Sequence, residues 1–169
     1  MRENLYKILF IGLFIATIFS CKVNYSFSGA SLSPKIETVS IDYFSNRASL
    51  VNPNLSQAFT EALKDKFTSE AGLSLISSSG DLDFSGAIVG YRLSPVSIQQ
   101  NEASMMRLTI SVQVKFVNNI DEAQSFSQTF SDFEDYPADQ DFSTVEQDLN
   151  IIIIKKLIEK IFMKSAANW

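Results

Sequence analysis

The clearest hydrophobic pattern in the chain is a strict alternation of apolar and polar residues between positions 106 and 116. Successive side chains of a β-strand point to opposite faces, so this period of two predicts a strand with one face in the core and the other in water. The even positions are all apolar and the odd positions are all polar. The predicted buried face consists of Met106, Leu108, Ile110, Val112, Val114 and Phe116.

Other segments carry weaker strand patterns. Residues 36–44 alternate between apolar and polar positions, which predicts a half-buried strand. Residues 73–76 form a short apolar run. Residues 82–93 form a longer strand pattern, which we expect Pro95 to end.

Two glycines interrupt the pattern of residues 82–93. We interpret Gly86 and Gly90 as marks of a β-bulge or of a close approach by another backbone. Further along the chain, residues 124–133 follow a turn-rich stretch and carry Phe126 and Phe130. This segment is interpreted as the hairpin partner of the strand at 106–116.

The apolar residues between positions 55 and 67 recur with helical spacing. Asn54 followed by Gln57 forms a capping-box pattern, and Asn52 with Pro53 at the first helical position is an equal alternative start. Gly72 stands where a residue in the left-handed conformation would end the helix.

The pattern from Ser143 onward predicts a second helix. Ser143 with Glu146 forms a capping box, and Lys160 and Lys164 lie in the final turns, where cations complement the helix dipole. Its apolar stripe contains Ile151, Ile154, Ile158, Ile161 and Phe162.

A strand, a helix and a second strand in succession form a crossover unit, so the strands at 36–44 and 73–76 are expected to lie parallel in one sheet. The predicted fold class is α+β. We expect a two-layer sandwich, with a mixed sheet of four to five strands and two helices packed on one face. Residues 35–169 are predicted to form a single domain.

The beginning of the chain is typical of an export signal. Arg2 and Lys7 precede an apolar run too short to cross a bilayer, and Ser20 precedes Cys21. This arrangement resembles the lipobox of bacterial lipoproteins, in which cleavage before the cysteine is coupled to its lipidation. An uncleaved anchor or an ordinary signal peptide is the alternative. We therefore assign residues 1–20 as signal peptide and Cys21 as the lipidation site.

The segment at 21–34 has two interpretations. Tyr25, Phe27 and Gly29 alternate with serines, which is compatible with a short first strand, and the serine-rich composition is compatible with a tether. Lys22-Val23-Asn24 lacks an acidic run of the kind associated with export of lipoproteins to the cell surface. Attachment to the periplasmic leaflet is expected.

The composition of the chain argues against several classes of partner and catalytic site. The chain has 14 basic and 19 acidic residues, and removal of residues 1–20 takes away Arg2, Lys7 and Glu3, which leaves a net charge of −6. Such a charge argues against nucleic acid as a partner. The chain contains no histidine and one cysteine, which excludes a Ser-His-Asp triad, a Cys-His pair and a histidine-containing zinc site. No cofactor is expected.

Residues 132–148 contain seven acidic side chains around Pro137. Asp139 and Asp141 suggest calcium, but the glycine and closing glutamate of an EF-hand loop are missing. We interpret the segment as a solvated loop that leads into the last helix, and we expect no metal site.

Several motifs in a fixed order resemble the LptE family of outer-membrane lipopolysaccharide-assembly lipoproteins, in the form found in Bacteroidetes. The resemblance covers nearly the whole mature chain. The motifs are Cys21, Tyr25-Ser26-Phe27-Ser28-Gly29, residues 36–43, Asn52-Pro53, Gly86-x-x-x-Gly90-Tyr91, Arg107-Leu108-Thr109-Ile110, Phe116-Val117-Asn118 and residues 162–169.

The resemblance implies a non-enzymatic protein. Family members act as a plug inside the lumen of the LptD β-barrel, help the barrel to assemble, and bind lipopolysaccharide on its way to the outer leaflet. It also implies two helices on a four-stranded sheet, and an outer-membrane location on the periplasmic side.

The candidate ligand-binding residues are basic ones, because the phosphates of lipid A require cationic partners. Arg107 and Lys115 share the predicted polar strand face, and Arg92 lies on another strand of the same sheet. Ordinary solubilising charge is the alternative role for each of them.

Two other functions compete with this one. The chain is also compatible with a generic periplasmic lipoprotein that acts as a scaffold in another envelope or secretion complex. A carboxylate-based hydrolase would require two acids facing one cleft, whereas the acids here cluster in one segment and on helix exteriors.

Overall fold

Two helices lie side by side on one face of a mixed β-sheet. The computed structural model describes residues 32–49, 52–99 and 102–166, so the expectations for residues 1–20, Cys21 and the 25–29 motif lie outside the described residues. The elements in chain order are β1 (Thr38–Ile41), β2 (Ser45–Asn46), α1 (Leu55–Ser69), β3 (Ser74–Ile76), β4 (Leu82–Gln99), β5 (Glu102–Asn118), a 3₁₀ turn (Glu122–Gln124), β6 (Phe126–Pro137) and α2 (Phe142–Ala166).

The strand order in the sheet is β3-β1-β4-β5-β6, and the two-residue β2 also pairs with β4. β1 is parallel to β3 and β4, as expected for a strand–helix–strand crossover. β4, β5 and β6 form an antiparallel meander. The predicted α+β class with two helices on one face of a mixed sheet is confirmed.

The core lies between the helices and β5. Leu108, Ile110, Val112, Val114 and Phe116 are at most 1% exposed, and Met106 is partly buried, so the predicted alternation is correct. The helix side chains that complete the core include Phe59, Leu63 and Phe67 from α1 and Ile153, Leu157, Ile161 and Phe162 from α2.

The glycines of β4 have the roles predicted for them. The pairing of β4 with β5 shifts between Ile88 and Gly90, which is a bulge that leaves Val89 exposed. Gly86 lies so close to the carbonyl of Gln113 that a side chain has no room there. Gly72 follows α1 and has a φ of 69°, which is the left-handed conformation predicted at this position.

The expected end of the fourth strand at Pro95 was wrong. β4 continues to Gln99, and Pro95 lies opposite Met106 of β5 with a register shift just after it. β1 and β2 pair with β4 only as far as Ile88. At Pro95 the other side of β4 therefore has no strand partner among the described residues, and there a missing backbone N–H costs no ladder hydrogen bond.

The acidic segment was also misassigned in part. β6 extends to Pro137, so Asp132, Glu134 and Asp135 are strand residues, not loop residues. Each of these three carboxylates makes an ion pair with a lysine or arginine.

Neither predicted capping box forms. Asn54 precedes α1 without a side-chain cap, and the Oδ1 of Asn52 accepts from the backbone N–H of Asn54 at 3.0 Å instead. At α2 the cap is Asp141, whose Oδ1 accepts from the backbone N–H of Ser143 at 2.9 Å. Glu146 points away to other partners.

Among the helices in the described ranges, none combines the length and the apolar character that crossing a membrane requires.

Candidate functional site

The face of the sheet opposite the two helices carries the predicted ligand-binding residues. We call it the open face, and it is formed by the odd-numbered positions of β5 from Arg107 to Lys115 with their neighbours on β4 and β6. Strand alternation places these side chains away from the core. Their opposite residues on β6 are Asp135, Phe133, Ser131, Thr129 and Ser127.

Arg107 is held by a bidentate ion pair. Its Nε lies 2.7 Å from Oδ1 of Asp135, and its Nη2 lies 2.8 Å from Oδ2. The guanidinium carbon also stacks 3.6 Å from the ring centroid of Phe133. The arginine holds the pKa of Asp135 below its usual range. Arg107 is therefore half-buried and ion-paired, whereas the strand pattern predicted that it would be exposed to water.

Arg92 lies next to Arg107 on the open face. Its direct neighbour across β4 and β5 is Thr109, while Arg107 faces Ser94, so the two arginines are diagonal neighbours. Such diagonal positions are about 7–8 Å apart, within reach of long side chains. Arg92 is exposed and forms no ion pair with any described residue. The structure thus brings two of the three candidates together.

Lys115 lies elsewhere on the same face. It is eight residues from Arg107 along β5, which corresponds to about 27 Å at 3.4 Å per residue. There it lines a depression of about 450 Å³. The lining contains one further cation, Arg47, together with Asp42, Tyr43 and Gln113. The alternation of hydrophobic and polar residues could not indicate Arg47, because it follows β2 in an irregular segment.

A partly buried polar network connects the sheet to both helices near their N-termini. Oε1 of Glu146 accepts from the hydroxyl of Tyr91 at 2.7 Å and from Nδ2 of Asn52 at 2.8 Å. Burial, and next the hydrogen bond to Glu146, raise the pKa of Tyr91. Glu146 lies 94 residues from Asn52 in sequence, so no local motif signals this contact.

The open face exposes groups of the kind that pair with anions, and the described residues on it form no catalytic arrangement. It offers guanidinium and ammonium groups, two exposed aromatic rings at Tyr43 and Phe133, and hydroxyls such as the pair Ser111–Ser131 at 2.8 Å. Within the described ranges, no group of three or more acidic, cysteine or histidine side chains could hold a metal ion. Guanidinium and ammonium groups of this kind pair with phosphates and carboxylates, and they also stack on aromatic rings.

Comparison with known proteins identifies one family. The family model LptE, described as Lipopolysaccharide-assembly, matches residues 36–165. A search of curated protein sequences gives no match.

The chain is similar to several solved structures at low sequence identity. The minor lipoprotein of Acinetobacter baumannii is 14% identical, with a TM-score of 0.48 over 77% of this chain and 94% of that one. The rare lipoprotein B of Shewanella oneidensis is 12% identical, with a TM-score of 0.45 over 76% of this chain and 90% of that one. Lipoprotein B of Nitrosomonas europaea is 11% identical, with a TM-score of 0.49 over 78% and 86%.

Proposed function

This chain belongs to the LptE family of non-enzymatic lipopolysaccharide-assembly lipoproteins, and from that membership we infer that it is the partner of an LptD-like outer-membrane β-barrel. In this proposal the protein is lipidated on Cys21 and attached to the periplasmic side of the outer membrane. It plugs the barrel, helps the barrel to assemble, and binds lipopolysaccharide in transit. The family match carries the proposal, because residues 36–165 include nearly all of the described fold.

The surface of the domain supports a place inside a barrel lumen. The interior of large outer-membrane barrels is polar, whereas their lipid-facing side is apolar. The open face presents serine, threonine, glutamine and charged side chains along β5 and β6. A protein with such a face can lie against a wet barrel wall without exposing its core.

Lipopolysaccharide binding is proposed for the open face, with Arg92, Arg107 and Lys115 as the contact residues. Arg92 is the strongest candidate, because it is exposed and forms no ion pair within the described residues. Arg107 already shares its guanidinium with Asp135. Its contribution would be to orient Phe133 and to support Arg92, while Lys115 would make a separate contact about 27 Å away.

The whole proposal is tested by depletion of the protein in its own cells. We expect less correctly assembled barrel and less lipopolysaccharide at the surface. Purification of the tagged protein in detergent should bring down a large β-barrel. Unchanged barrel assembly and unchanged surface lipopolysaccharide would contradict the proposal, and co-purification of a different envelope complex would favour the scaffold alternative.

Charge reversal tests the binding face. Arg92→Glu should weaken binding of lipopolysaccharide by about tenfold, since a hydrogen bond to a charged group contributes about 1.5–3 kcal/mol. Lys115→Glu should weaken it as well. The matched control is Lys155→Glu, which makes the same charge change on the exposed surface of α2, on the other side of the sheet. Equal affinities for Arg92→Glu and the control would place the binding site elsewhere.

A further inference from the structure

The basic side chains of the protein differ in whether they already have partners. Lys156 and Lys160 of α2 form ion pairs with acids of β6. Their Nζ atoms also donate to the carbonyls of Phe133 at 3.1 Å and Ser131 at 2.9 Å, on the outer edge of β6, which is the last strand in the sheet order. Arg47, by contrast, is exposed and forms no ion pair with a described residue.

The depression that Lys115 and Arg47 line lies over β4. Ala87 of β4 pairs with Ser45 of β2 on one side and with Gln113 of β5 on the other. Neighbouring strands are about 4.8 Å apart, so the backbones on the two sides of β4 are about 10 Å apart. The strand β4 contributes only small residues to the lining, namely Ser85, Gly86 and Ala87. It therefore forms the floor, and the longer side chains of its neighbours form two walls.

The floor is covered although it belongs to the open face. Ala87 is only 3% exposed, because the walls on both sides shield it from water. The volume of about 450 Å³ lies within the range of small-molecule sites, which is about 300–1,000 Å³. The depression is therefore large enough and deep enough to hold a small ligand.

The two ends of the depression differ in charge. The backbone N–H of Asp42 donates to the carbonyl of Phe84 at 2.9 Å, and that of Arg47 donates to the carbonyl of Ile88 at 2.8 Å. Four residues of β4 separate these two points, which corresponds to about 13 Å. Lys115 lies on the opposite wall, nearer to the Asp42 end. The lining thus carries two cations and one carboxylate, with the guanidinium at the end away from the carboxylate.

The remaining groups suit a ligand that is both flat and rich in hydroxyls. Tyr43 lines the depression, is 62% exposed, and offers an apolar ring face with a polar tip. The amide of Gln113 and the hydroxyls of Ser45 and Ser85 can both donate and accept hydrogen bonds. A small anion would leave Tyr43 unused and would be repelled at the Asp42 end. A sugar ring has apolar C–H faces, and its hydroxyls can donate to a carboxylate.

We propose that the depression binds a sugar unit that carries a carboxylate or phosphate group. Arg47 binds the anionic group through its planar guanidinium, and Lys115 adds a second positive charge. Tyr43 covers the ring, while Asp42 and Gln113 bind its hydroxyls. The proposal rests on the proposed function only for the source of the sugar, which is the saccharide part of lipopolysaccharide. A free acidic sugar is the other source of the same chemistry.

Titration followed by amide NMR tests the site in the full-length membrane-extracted protein, in a detergent without a sugar headgroup. The probes are glucuronate, glucose 6-phosphate, glucose and acetate. We expect shifts at Ala87 and Gln113, with both acidic sugars bound about tenfold more tightly than glucose, because they add charge-assisted hydrogen bonds. Absence of binding by the acidic sugars would overturn the proposal. Equal affinities for acetate and glucuronate would overturn it too, since they would indicate a site for the anionic group alone.

Variants test the two ends of the recognition separately. Arg47→Gln should weaken glucuronate binding by about tenfold and leave glucose binding unchanged, whereas Tyr43→Ala should weaken both. The matched control Lys155→Gln removes one positive charge from the exposed surface of α2 and should bind as the wild type does. Unchanged amide shifts of Ile110 and Val112 report that each variant is folded. Equal affinities of Arg47→Gln and the wild type for glucuronate would overturn the proposal.

Competition distinguishes the source of the sugar. Displacement of glucuronate by lipopolysaccharide would support the proposal with lipopolysaccharide as the source. Glucuronate binding in a protein that does not bind lipopolysaccharide would support the site with a free acidic sugar as its ligand, and would contradict the proposed function alone. Binding of lipopolysaccharide without binding of either acidic sugar would overturn the site and leave the proposed function in place.

Discussion

Gly86 stands at a point where even one methyl group has no room. A Cβ built there would lie 2.0 Å from the carbonyl oxygen of Gln113 and 2.7 Å from Cε1 of Phe44. The first of these is a backbone atom of the central strand β5, which cannot move without disturbing the ladder. At Gly90, by contrast, the nearest atom is Cβ of Ser111 at 3.1 Å.

We predict that Gly86→Ala destabilises the protein by about 1–3 kcal/mol or more, in the range of overpacked core substitutions. Gly90→Ala is the matched control, and its cost should be smaller because the neighbour is a serine side chain next to a bulge. Denaturant unfolding measures both. Equal costs would mean that the β4–β5 spacing at Gly86 is not limiting.

Asp81 should make the stability of the protein depend on pH. Its Oδ2 accepts from the backbone N–H groups of Glu37 and Thr38, each at 2.9 Å, and from the hydroxyl of Thr38 at 2.8 Å. The hydrogen bond from Glu37 and then those from Thr38 lower the pKa of this carboxyl. The ionised form thereby fastens the start of β1 to the start of β4.

A lowered pKa in the folded state means that this stabilisation is present above the unfolded value, about 3.9 for aspartate. It is lost as the pH falls through the lower folded-state pKa. We predict that Asp81→Ala lowers the melting temperature at pH 7, and that the difference from wild type shrinks in acid below about pH 4. A difference that is the same at pH 7 and pH 3 would contradict this.

At the scale of elements, β5 organises the molecule. It lies between β4 and β6, its even positions form the floor of the core, and its odd positions form the open face. A shift of pairing by one residue would exchange the two faces. The side chains of this one strand therefore determine both stability and the character of the exposed surface.

Ile110 lies at the centre of that strand and is 1% exposed. We predict that Ile110→Ala costs about 2–5 kcal/mol, the usual range for such a cavity-creating change in a core. Thr109→Ala, at the adjacent position on the open face, should cost much less. Denaturant unfolding of the two variants compares the faces directly, and similar costs would be inconsistent with the assigned register.

Elements with a strong period were predictable, and contacts between distant elements were not. The alternation of β5 and the helical period of α2 are local signals, and both elements were correctly predicted. Ile151, which was assigned to the apolar stripe of α2, is however 58% exposed.

Of the two predicted starts of α1, Asn54 makes no side-chain cap bond, whereas the side chain of Asn52 accepts from the N–H of Asn54. The box at α2 does not form, and Glu146 instead accepts from Asn52, 94 positions away. The ion pair of Arg107 likewise depends on the register of β6, which places Asp135 opposite.

At the scale of the whole molecule, the two helices run parallel. Asn52 before α1 contacts Glu146 near the start of α2, and Lys66 near the end of α1 contacts Glu159 further along α2. Both N-termini therefore lie at one end of the molecule. Both helices lie on one side of the sheet, so neither of them covers the open face.

The prediction at the scale of the whole molecule concerns its attachment to the membrane. We predict that the mature N-terminus is Cys21 and that it carries lipid, since a charged and then apolar segment precedes the only cysteine in the chain. Intact mass spectrometry of the membrane-extracted protein measures this. An unmodified mass, or cleavage at another residue, would contradict the assignment, and Cys21→Ser should release the protein from the membrane fraction.

Lys156 and Lys160 of α2 donate hydrogen bonds to the carbonyls of Phe133 and Ser131 on the outer edge of β6. The protection of this strand edge therefore depends on the position of a helix. When α2 detaches, the same event exposes the core and frees a row of backbone groups that can pair with another molecule. Aggregation on heating should then follow second-order kinetics in protein concentration. Dilute samples would refold on cooling, whereas concentrated samples would be lost to aggregates at the same temperature.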